Sequence, residues 1–154
     1  MTSCSDHVNV VVTDMPRSVS FYGKVLGLVP VMDRDLSGEW FEQVTGLPGA
    51  HARCVILDAP GGGCRVELLQ FHAPASPPPA PFTPASLGLR HVAIRVTNLD
   101  SCLAILRDRF GQTVIPVQVP RHIVKSGKRM CYIRDPDGAM VELCEYGSEI
   151  PEFC

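Results

Sequence analysis

The stretch RMCYIRDPDGAMVELCEY, from Arg129 to Tyr146, decides the fold of this chain. It predicts two short β-strands joined by a tight turn at Asp135-Pro136-Asp137-Gly138, because proline sets φ, aspartate bonds to its own backbone and glycine accepts a positive φ. Strand side chains alternate between faces, so Glu142 should share a face with Cys144. A carboxylate among apolar neighbours is costly to bury unless it is paired or bound to a metal. Glu142 therefore requires a partner.

Outward from this hairpin, the chain repeats itself. The segment HVNVVVTDMPRSVSFYGKVLG, which begins at His7, aligns without gaps on HVAIRVTNLDSCLAILRDRFG, which begins at His91. Each half also ends alike, with RVELLQF around Glu67 and MVELCEY around Glu142. One helical pattern and three extended segments follow the first strand of each half. The sequence thus predicts an α+β fold of two tandem βαβββ modules, and this repeat is its strongest signal.

Local signals place the first helix and its neighbours. Thr13 or Asp14 is a suitable helix cap, Pro16 suits the first turn, and Gly27 suits the end of the helix. The predicted strands of the first half cover 28–33, 52–57 and 65–71, and those of the second cover 114–119, 130–134 and 139–146. Trp40 and Phe41 fall in a long connection without usable periodicity.

A proline-rich segment, APASPPPAPFTPA at 73–85, divides the chain nearly in half. Prolines at this density cannot donate to a sheet ladder and favour extended polyproline geometry. We therefore expect a first module at 1–72, a linker at 73–87 and a second module at 88–154, together forming one domain.

Composition excludes several classes of function. The chain has 154 residues, 45% of them hydrophobic, and a net charge of -2, so it carries no electrostatic footprint for nucleic acid or an anionic membrane. No apolar run approaches the roughly 20 residues that span a bilayer, and the N-terminus has no signal-peptide pattern, so we expect a cytoplasmic protein. We expect the basic residues Lys125, Lys128 and Arg129 to form a solvated loop.

The seven cysteines do not form a recognisable framework. They are odd in number, scattered and without a C-x-x-C pair, which argues against disulfides and against a structural zinc site. Most should be small buried hydrophobes, at positions Cys4, Cys54, Cys64, Cys102, Cys131, Cys144 and Cys154. Cys144 merits separate attention because it shares a strand face with Glu142.

The repeated histidine and glutamate predict a metal site. A lone strand histidine or a lone glutamate would mean little, but the same two residue types recur at matching places in both modules. If the modules pair about a pseudo-twofold axis, His7, Glu67, His91 and Glu142 converge on one cavity. Two imidazoles and two carboxylates suit a divalent ion such as zinc, nickel, iron, manganese or cobalt.

With these features, the chain resembles the glyoxalase, bleomycin-resistance and extradiol-dioxygenase superfamily, also called vicinal oxygen chelate proteins. The resemblance covers His7 to Tyr146 and rests on the paired modules, the histidine openings, the DPDG turn and the two VEL strands. It implies a mixed sheet that curls around a central metal cavity, a small-molecule substrate whose vicinal oxygens chelate the metal, and a homodimer. The four residues correspond to the ligand set of glyoxalase I-like members.

The activity that this resemblance implies is that of a lyase, isomerase or epimerase. A metal that holds two neighbouring oxygens promotes enolisation while a carboxylate removes the proton, and Glu67 or Glu142 would be that base. Arg95 follows His91 by four residues and could meet a substrate carboxylate or phosphate. Val11 and Phe71 stand at the two positions where bacterial glyoxalase I has an arginine and an asparagine that hold glutathione, so the resemblance does not extend to a glutathione substrate.

Two further comparisons within the superfamily leave alternatives open. Epimerases use a glutamate base in a region that here reads LPGAH, 47–51, where His51 is the available substitute. In extradiol dioxygenases, a signature of histidine, tyrosine, an Asp-Pro-x-Gly turn and a ligand glutamate resembles His122, Tyr132, the DPDG turn and Glu142. That interpretation assigns an iron site to His7, His91 and Glu142, with Glu67 as the feature against it.

A third alternative is a non-catalytic protein that binds an antibiotic. Such a protein would present aromatic side chains to its pocket, and the available ones are Trp40, Phe41, Phe71 and Tyr132. The presence of all four ligand residues argues against it. Taken across these interpretations, the residues expected to contact a substrate are Arg95, Tyr132, His122, Phe71 and Trp40.

Overall fold

The structure, a computed structural model, describes residues 5–78 and 80–147. It confirms the predicted α+β class and the two tandem modules. Cys4, Cys154 and one proline of the predicted linker, Pro79, lie outside the described residues. The chain divides into two compact units, Met1–Pro81 and Phe82–Cys154, with the division inside the proline-rich segment.

The first unit contains one four-stranded mixed sheet. Its strands are in the order β1-β4-β3-β2, with β1 parallel to β4 and the other neighbours antiparallel. Its elements in chain order are β1 (His7–Val11), α1 (Met15–Leu26), β2 (Val29–Ser37), α2 (Glu39–Thr45), β3 (His51–Asp58) and β4 (Arg65–Ala73).

The second unit repeats this sheet with the same topology. Its strand order is β5-β8-β7-β6, with β5 parallel to β8 and the other neighbours antiparallel. Its elements are β5 (His91–Arg95), α3 (Leu99–Phe110), β6 (Val117–Val119), β7 (Lys128–Arg134) and β8 (Met140–Tyr146). In both units the strand that opens with histidine lies directly beside the strand that carries the glutamate.

The helix boundaries follow the predicted signals. Asp14 caps α1 by accepting a 3.0 Å hydrogen bond from the Arg17 backbone, and Gly27 ends the helix at φ 72°. The repeat carries the same chemistry, since Asn98 caps α3 and Gly111 ends it at φ 66°. Because both glycines adopt the left-handed conformation, each helix stops where the alignment of the two halves predicts.

The structure adds a short helix, α2, that the sequence pattern did not indicate. It falls in the connection that holds Trp40 and Phe41. Phe41 is buried against Ala52, Cys54 and a few other apolar residues on the sheet. A helix of seven residues covers barely two turns, too few for a period of 3.6 to be read.

The DPDG turn has the predicted construction. The Asp135 carboxylate accepts hydrogen bonds from the backbone of Asp137 and Ala139, at 3.0 and 2.7 Å, and Gly138 has φ 93°. Residues 74–78 and 80–90 contain neither helix nor strand. In the described part of the chain, no helix is both long enough and apolar enough to cross a membrane.

Candidate metal centre

In the first unit, the parallel pairing of β1 and β4 brings His7 next to Glu67. The register sets Asn9 opposite Glu67, which makes His7 a diagonal neighbour two residues earlier. His7 Nε2 lies 3.6 Å from Glu67 Oε2. The other ring nitrogen, Nδ1, lies 2.8 Å from Asp6 Oδ2, and this contact leaves Nε2 facing the glutamate.

The second unit builds the same pair independently. The register sets Ala93 opposite Glu142, so His91 is again the diagonal neighbour. His91 Nε2 lies 3.4 Å from Glu142 Oε2. The Glu142 side chain is only 7% exposed, whereas the His91 side chain is 33% exposed. A carboxylate that is less exposed than the imidazole beside it thus recurs at matching places of the two sheets.

The spacing in each pair fits two ligands of one metal ion. Zinc binds histidine nitrogen and carboxylate oxygen at about 2.0–2.2 Å, so two tetrahedral ligands lie roughly 3.4 Å apart. The observed separations are 3.6 and 3.4 Å. The nitrogen and oxygen donors also suit the divalent transition metals in general. Each pair therefore supplies two donor atoms at ligand spacing.

Two neutral groups donate hydrogen bonds to the carboxylate of Glu67. Asn9 Nδ2 donates to Oε2 at 2.9 Å, and Cys54 Sγ donates to Oε1 at 3.5 Å. Burial, together with the neighbouring Glu67 charge, raises the pKa of Cys54 to about 12. The thiol therefore stays protonated at neutral pH and acts as a donor.

A cation holds the carboxylate of Glu142. Lys128 Nζ donates to Oε1 at 2.6 Å, and both side chains are largely buried. Burial lowers the pKa of Lys128, but the hydrogen bond and the charge of Glu142 outweigh it, so the pKa is raised. The prediction of a solvated loop was wrong for Lys128 and Arg129, because both belong to β7. Arg129 forms ion pairs with Asp100 and Glu145.

This chain is similar to known proteins in both sequence and structure. The family model of the glyoxalase/bleomycin resistance protein/dioxygenase superfamily matches residues 5–143. The chain belongs to this superfamily. YaeR of Escherichia coli is 28% identical over 90% of this chain and 93% of its own, and YwkD of Bacillus subtilis is 26% identical over 90% and 94%. A glyoxalase family protein from Bacillus cereus has a TM-score of 0.78 at 27% identity, covering 96% of this chain and 97% of its own.

In this superfamily member, Tyr132 lies beside the second His–Glu pair, and Arg95 lies four residues beyond His91 on the same strand. Tyr132 stands opposite Glu142 in the β7–β8 register, and its ring centroid lies 5.0 Å from that of His91. Its side chain is partly open to solvent. Arg95 is exposed and stands opposite Cys144, on the strand that begins with His91. The substrate roles of Tyr132 and Arg95 stay predictions.

The other predicted substrate contacts are placed differently. Phe71 stacks on Phe41 with ring centroids 6.0 Å apart, and Trp40 leans on Phe41 while remaining 55% exposed. His122 lies exposed in the turn between β6 and β7. Among the residues described, Trp40 and Phe71 thus form an aromatic group around α2, and the substrate roles of all three residues stay predictions.

Sequence reasoning identified the histidines and glutamates but missed their partners. Lys128 lies far from Glu142 along the chain, and only the paired β7–β8 hairpin with a long side chain brings them together. The alternation of side chains along β7 could have indicated this contact. Lys128, Met130 and Tyr132 lie on one face of the strand, and Tyr132 stands opposite Glu142. Asn9 had the equivalent signal in β1, two residues after His7.

Proposed function

We propose that this protein is a metal-dependent lyase, isomerase or epimerase that acts on a small substrate with vicinal oxygens. The observation that carries the proposal is the His–Glu pair that recurs in both units at 3.6 and 3.4 Å. Membership of the superfamily supports it, since that family is named for glyoxalases and dioxygenases as well as for resistance proteins.

The proposed ligands are His7, Glu67, His91 and Glu142, whether one chain or two chains of a homodimer supply them. Nε2 of each histidine and Oε2 of each glutamate are the facing atoms. A divalent ion, when bound, supplies Lewis-acid stabilisation of the substrate oxygens, which makes the adjacent C–H bond more acidic. Zinc, nickel, iron, manganese and cobalt all suit this donor set.

The two glutamates differ in a way that suggests which one removes the proton. Lys128 fixes Oε1 of Glu142 with a charge-assisted bond of 2.6 Å between buried side chains. Among the described residues, the hydrogen-bond partner of Glu67 Oε1 is the neutral thiol of Cys54, at 3.5 Å. Because that contact is long and weak, we assign the base to Glu67, with Oε1 accepting the proton and Glu142 remaining fixed.

Two residues of the second unit, Arg95 and Tyr132, would orient the substrate. Arg95 offers a guanidinium for a carboxylate or phosphate, and Tyr132 offers an aromatic face and a hydroxyl next to His91. On the first unit, Val11 and Phe71 are apolar side chains at the positions where a glutathione carrier would need polar contacts. We therefore propose a substrate that is not a glutathione adduct.

The experiment that tests this function is deuterium exchange. The metal-loaded protein is incubated in D2O with a panel of 2-oxo and 2-hydroxy carbonyl compounds, and NMR follows loss of the proton next to the carbonyl. Glu67→Gln should lose exchange by at least about 100-fold, the scale of general-base catalysis. Glu39→Gln, an exposed glutamate of α2, is the matched control and should retain it.

Two results would contradict the proposal. One is the absence of exchange with every compound by a fully metal-loaded protein. The other is oxygen consumption with catechols by the iron-loaded protein, with Glu67→Gln as active as the wild type. That second result would favour the dioxygenase interpretation, in which His7, His91 and Glu142 hold iron.

A further inference from the structure

A β-bulge at the end of the first sheet exposes an additional histidine. His51 of β3 pairs with Ala73 of β4, but the next residue, Ala52, pairs with Phe71. His72 is therefore the extra residue of the bulged strand. Such bulges turn a side chain away from its regular direction. The bulge here sets the His72 ring against the His51 ring, with centroids 4.9 Å apart.

Asp35, on the neighbouring strand β2, completes a group of three. His51 Nε2 lies 3.9 Å from Asp35 Oδ1. One ligand atom from each of Asp35, His51 and His72 lies within 4.8 Å of the other two. Two imidazoles and a carboxylate are the ligand types that zinc and related divalent ions prefer.

The nearby cation does not neutralise this group. Arg53 stands opposite Asp35 in the β2–β3 register, but its guanidinium binds Asp33 through two hydrogen bonds of 2.9 and 2.7 Å. That two-pronged contact holds the guanidinium on Asp33. The Asp35 carboxylate thus faces His51 with its charge available to a metal ion.

This group is separate from the candidate metal centre. His72 follows Glu67 by five residues along β4, which is about 17 Å at a strand rise of roughly 3.3 Å per residue. None of its three residues belongs to the His–Glu pair of this unit. A metal ion at one position would therefore not share ligands with the other.

We propose that Asp35, His51 and His72 form a second metal site that takes a zinc-type divalent ion. The three residues come from three adjacent strands, so a bound ion would link β2, β3 and the bulged end of β4. Water would complete the coordination, because the site lies at the surface. The side chains of Asp35 and His51 are 71% and 47% exposed, which lets them close the gap to ligand spacing by small rotations.

The test is zinc titration of the metal-free full chain by calorimetry. His72→Gln and His51→Gln are each expected to reduce the number of zinc ions bound per chain by one, with a loss of affinity of about 100-fold or more. Asp108→Asn, at an exposed aspartate of α3 outside the site, is the control and should bind zinc like the wild type.

A second readout separates this site from the proposed enzymatic centre. The variant His7→Ala/His91→Ala should retain the zinc ion that His72→Gln loses, and zinc should raise its thermal unfolding temperature. Addition of His72→Gln to that variant should abolish both effects. If His51→Gln and His72→Gln, shown to be folded by circular dichroism, bind zinc as the wild type does, the proposed second metal site is wrong.

Discussion

Lys128 Nζ donates a 2.6 Å hydrogen bond to Glu142 Oε1, while the other oxygen of the same carboxylate lies 3.4 Å from His91 Nε2. The lysine thus occupies one carboxylate oxygen and leaves the second one beside the imidazole. Since both Lys128 and Glu142 are largely buried, each would leave an unpaired buried charge if the other were removed.

Replacement of Lys128 should therefore destabilise the metal-free protein. Lys128→Met is expected to lower the free energy of unfolding by about 2–4 kcal/mol, because the Glu142 carboxylate stays buried without its cation. The loss should shrink when a divalent metal is added. Urea denaturation with and without metal measures both, with Lys125→Met, an exposed lysine of the preceding turn, as the control. An equal effect of the two substitutions would show that the pair contributes nothing.

Asn9 should set the metal affinity through Glu67. Its side-chain amide donates a 2.9 Å hydrogen bond to Oε2, the oxygen that faces His7. Asn9→Ala should weaken metal binding about 10- to 100-fold, the usual effect of removing a group that orients a ligand. Competition for the metal with a chromogenic chelator measures the affinity. An unchanged affinity in Asn9→Ala would show that Asn9 does not orient Glu67 for metal binding.

The sequence predicted the parts of the fold that are built from local signals and from the repeat. Asp14, Gly27 and the DPDG turn act through their own backbone neighbours, so their effects could be recognised without a structure. The His–Glu pairs were recognisable because they recur, and the parallel registers then explain why each pair is close.

The features that the sequence did not predict depend on distant contacts or on irregular backbone. The link between Lys128 and Glu142 spans a hairpin, and a long flexible side chain has no preferred partner in a sequence pattern. The position of His72 depends on a bulge, which breaks the alternation that strand prediction assumes. The helix α2 is too short to show a period.

Two glycines of the first helix should respond oppositely to alanine. Gly27 ends α1 at φ 72°, a conformation that costs an L-residue about 1 kcal/mol, so Gly27→Ala should lower stability by about that amount. Gly23 lies inside the helix, and a Cβ there would meet only Leu28 O at 3.4 Å. Gly23→Ala should be neutral or stabilising. Thermal unfolding compares the two, and equal destabilisation would contradict the assigned helix end.

Cys131 should react slowly with thiol reagents. Burial, with smaller effects from Cys102 and Glu142, raises the pKa of Cys131 to about 11. The thiol is therefore protonated at pH 8, whereas the thiol of an unfolded chain ionises near pH 9. Iodoacetamide labelling followed by peptide mass spectrometry should find Cys131 modified far more slowly than the less buried Cys64. Equal labelling of the two in the folded protein would contradict the buried position.

The raised pKa of Cys131 also makes the free energy of unfolding depend on pH. Because the folded pKa of Cys131 lies above the unfolded value, its contribution is complete below about pH 9 and is lost as the pH rises towards 11. Cys131→Ala should therefore flatten the fall of stability in this alkaline range. Urea denaturation at pH 8 and at pH 10 measures the difference, and an identical pH dependence in the variant would contradict this assignment.

The most direct test of the central claim is the metal content of the purified protein by elemental mass spectrometry. It is best made in a His72→Gln background, so that the proposed surface site does not contribute. The account predicts about one divalent transition-metal ion per four-residue centre, lost in His91→Ala and reduced in Glu67→Gln. Equal metal content in all three proteins, or no metal even after reconstitution, would contradict the proposed metal centre.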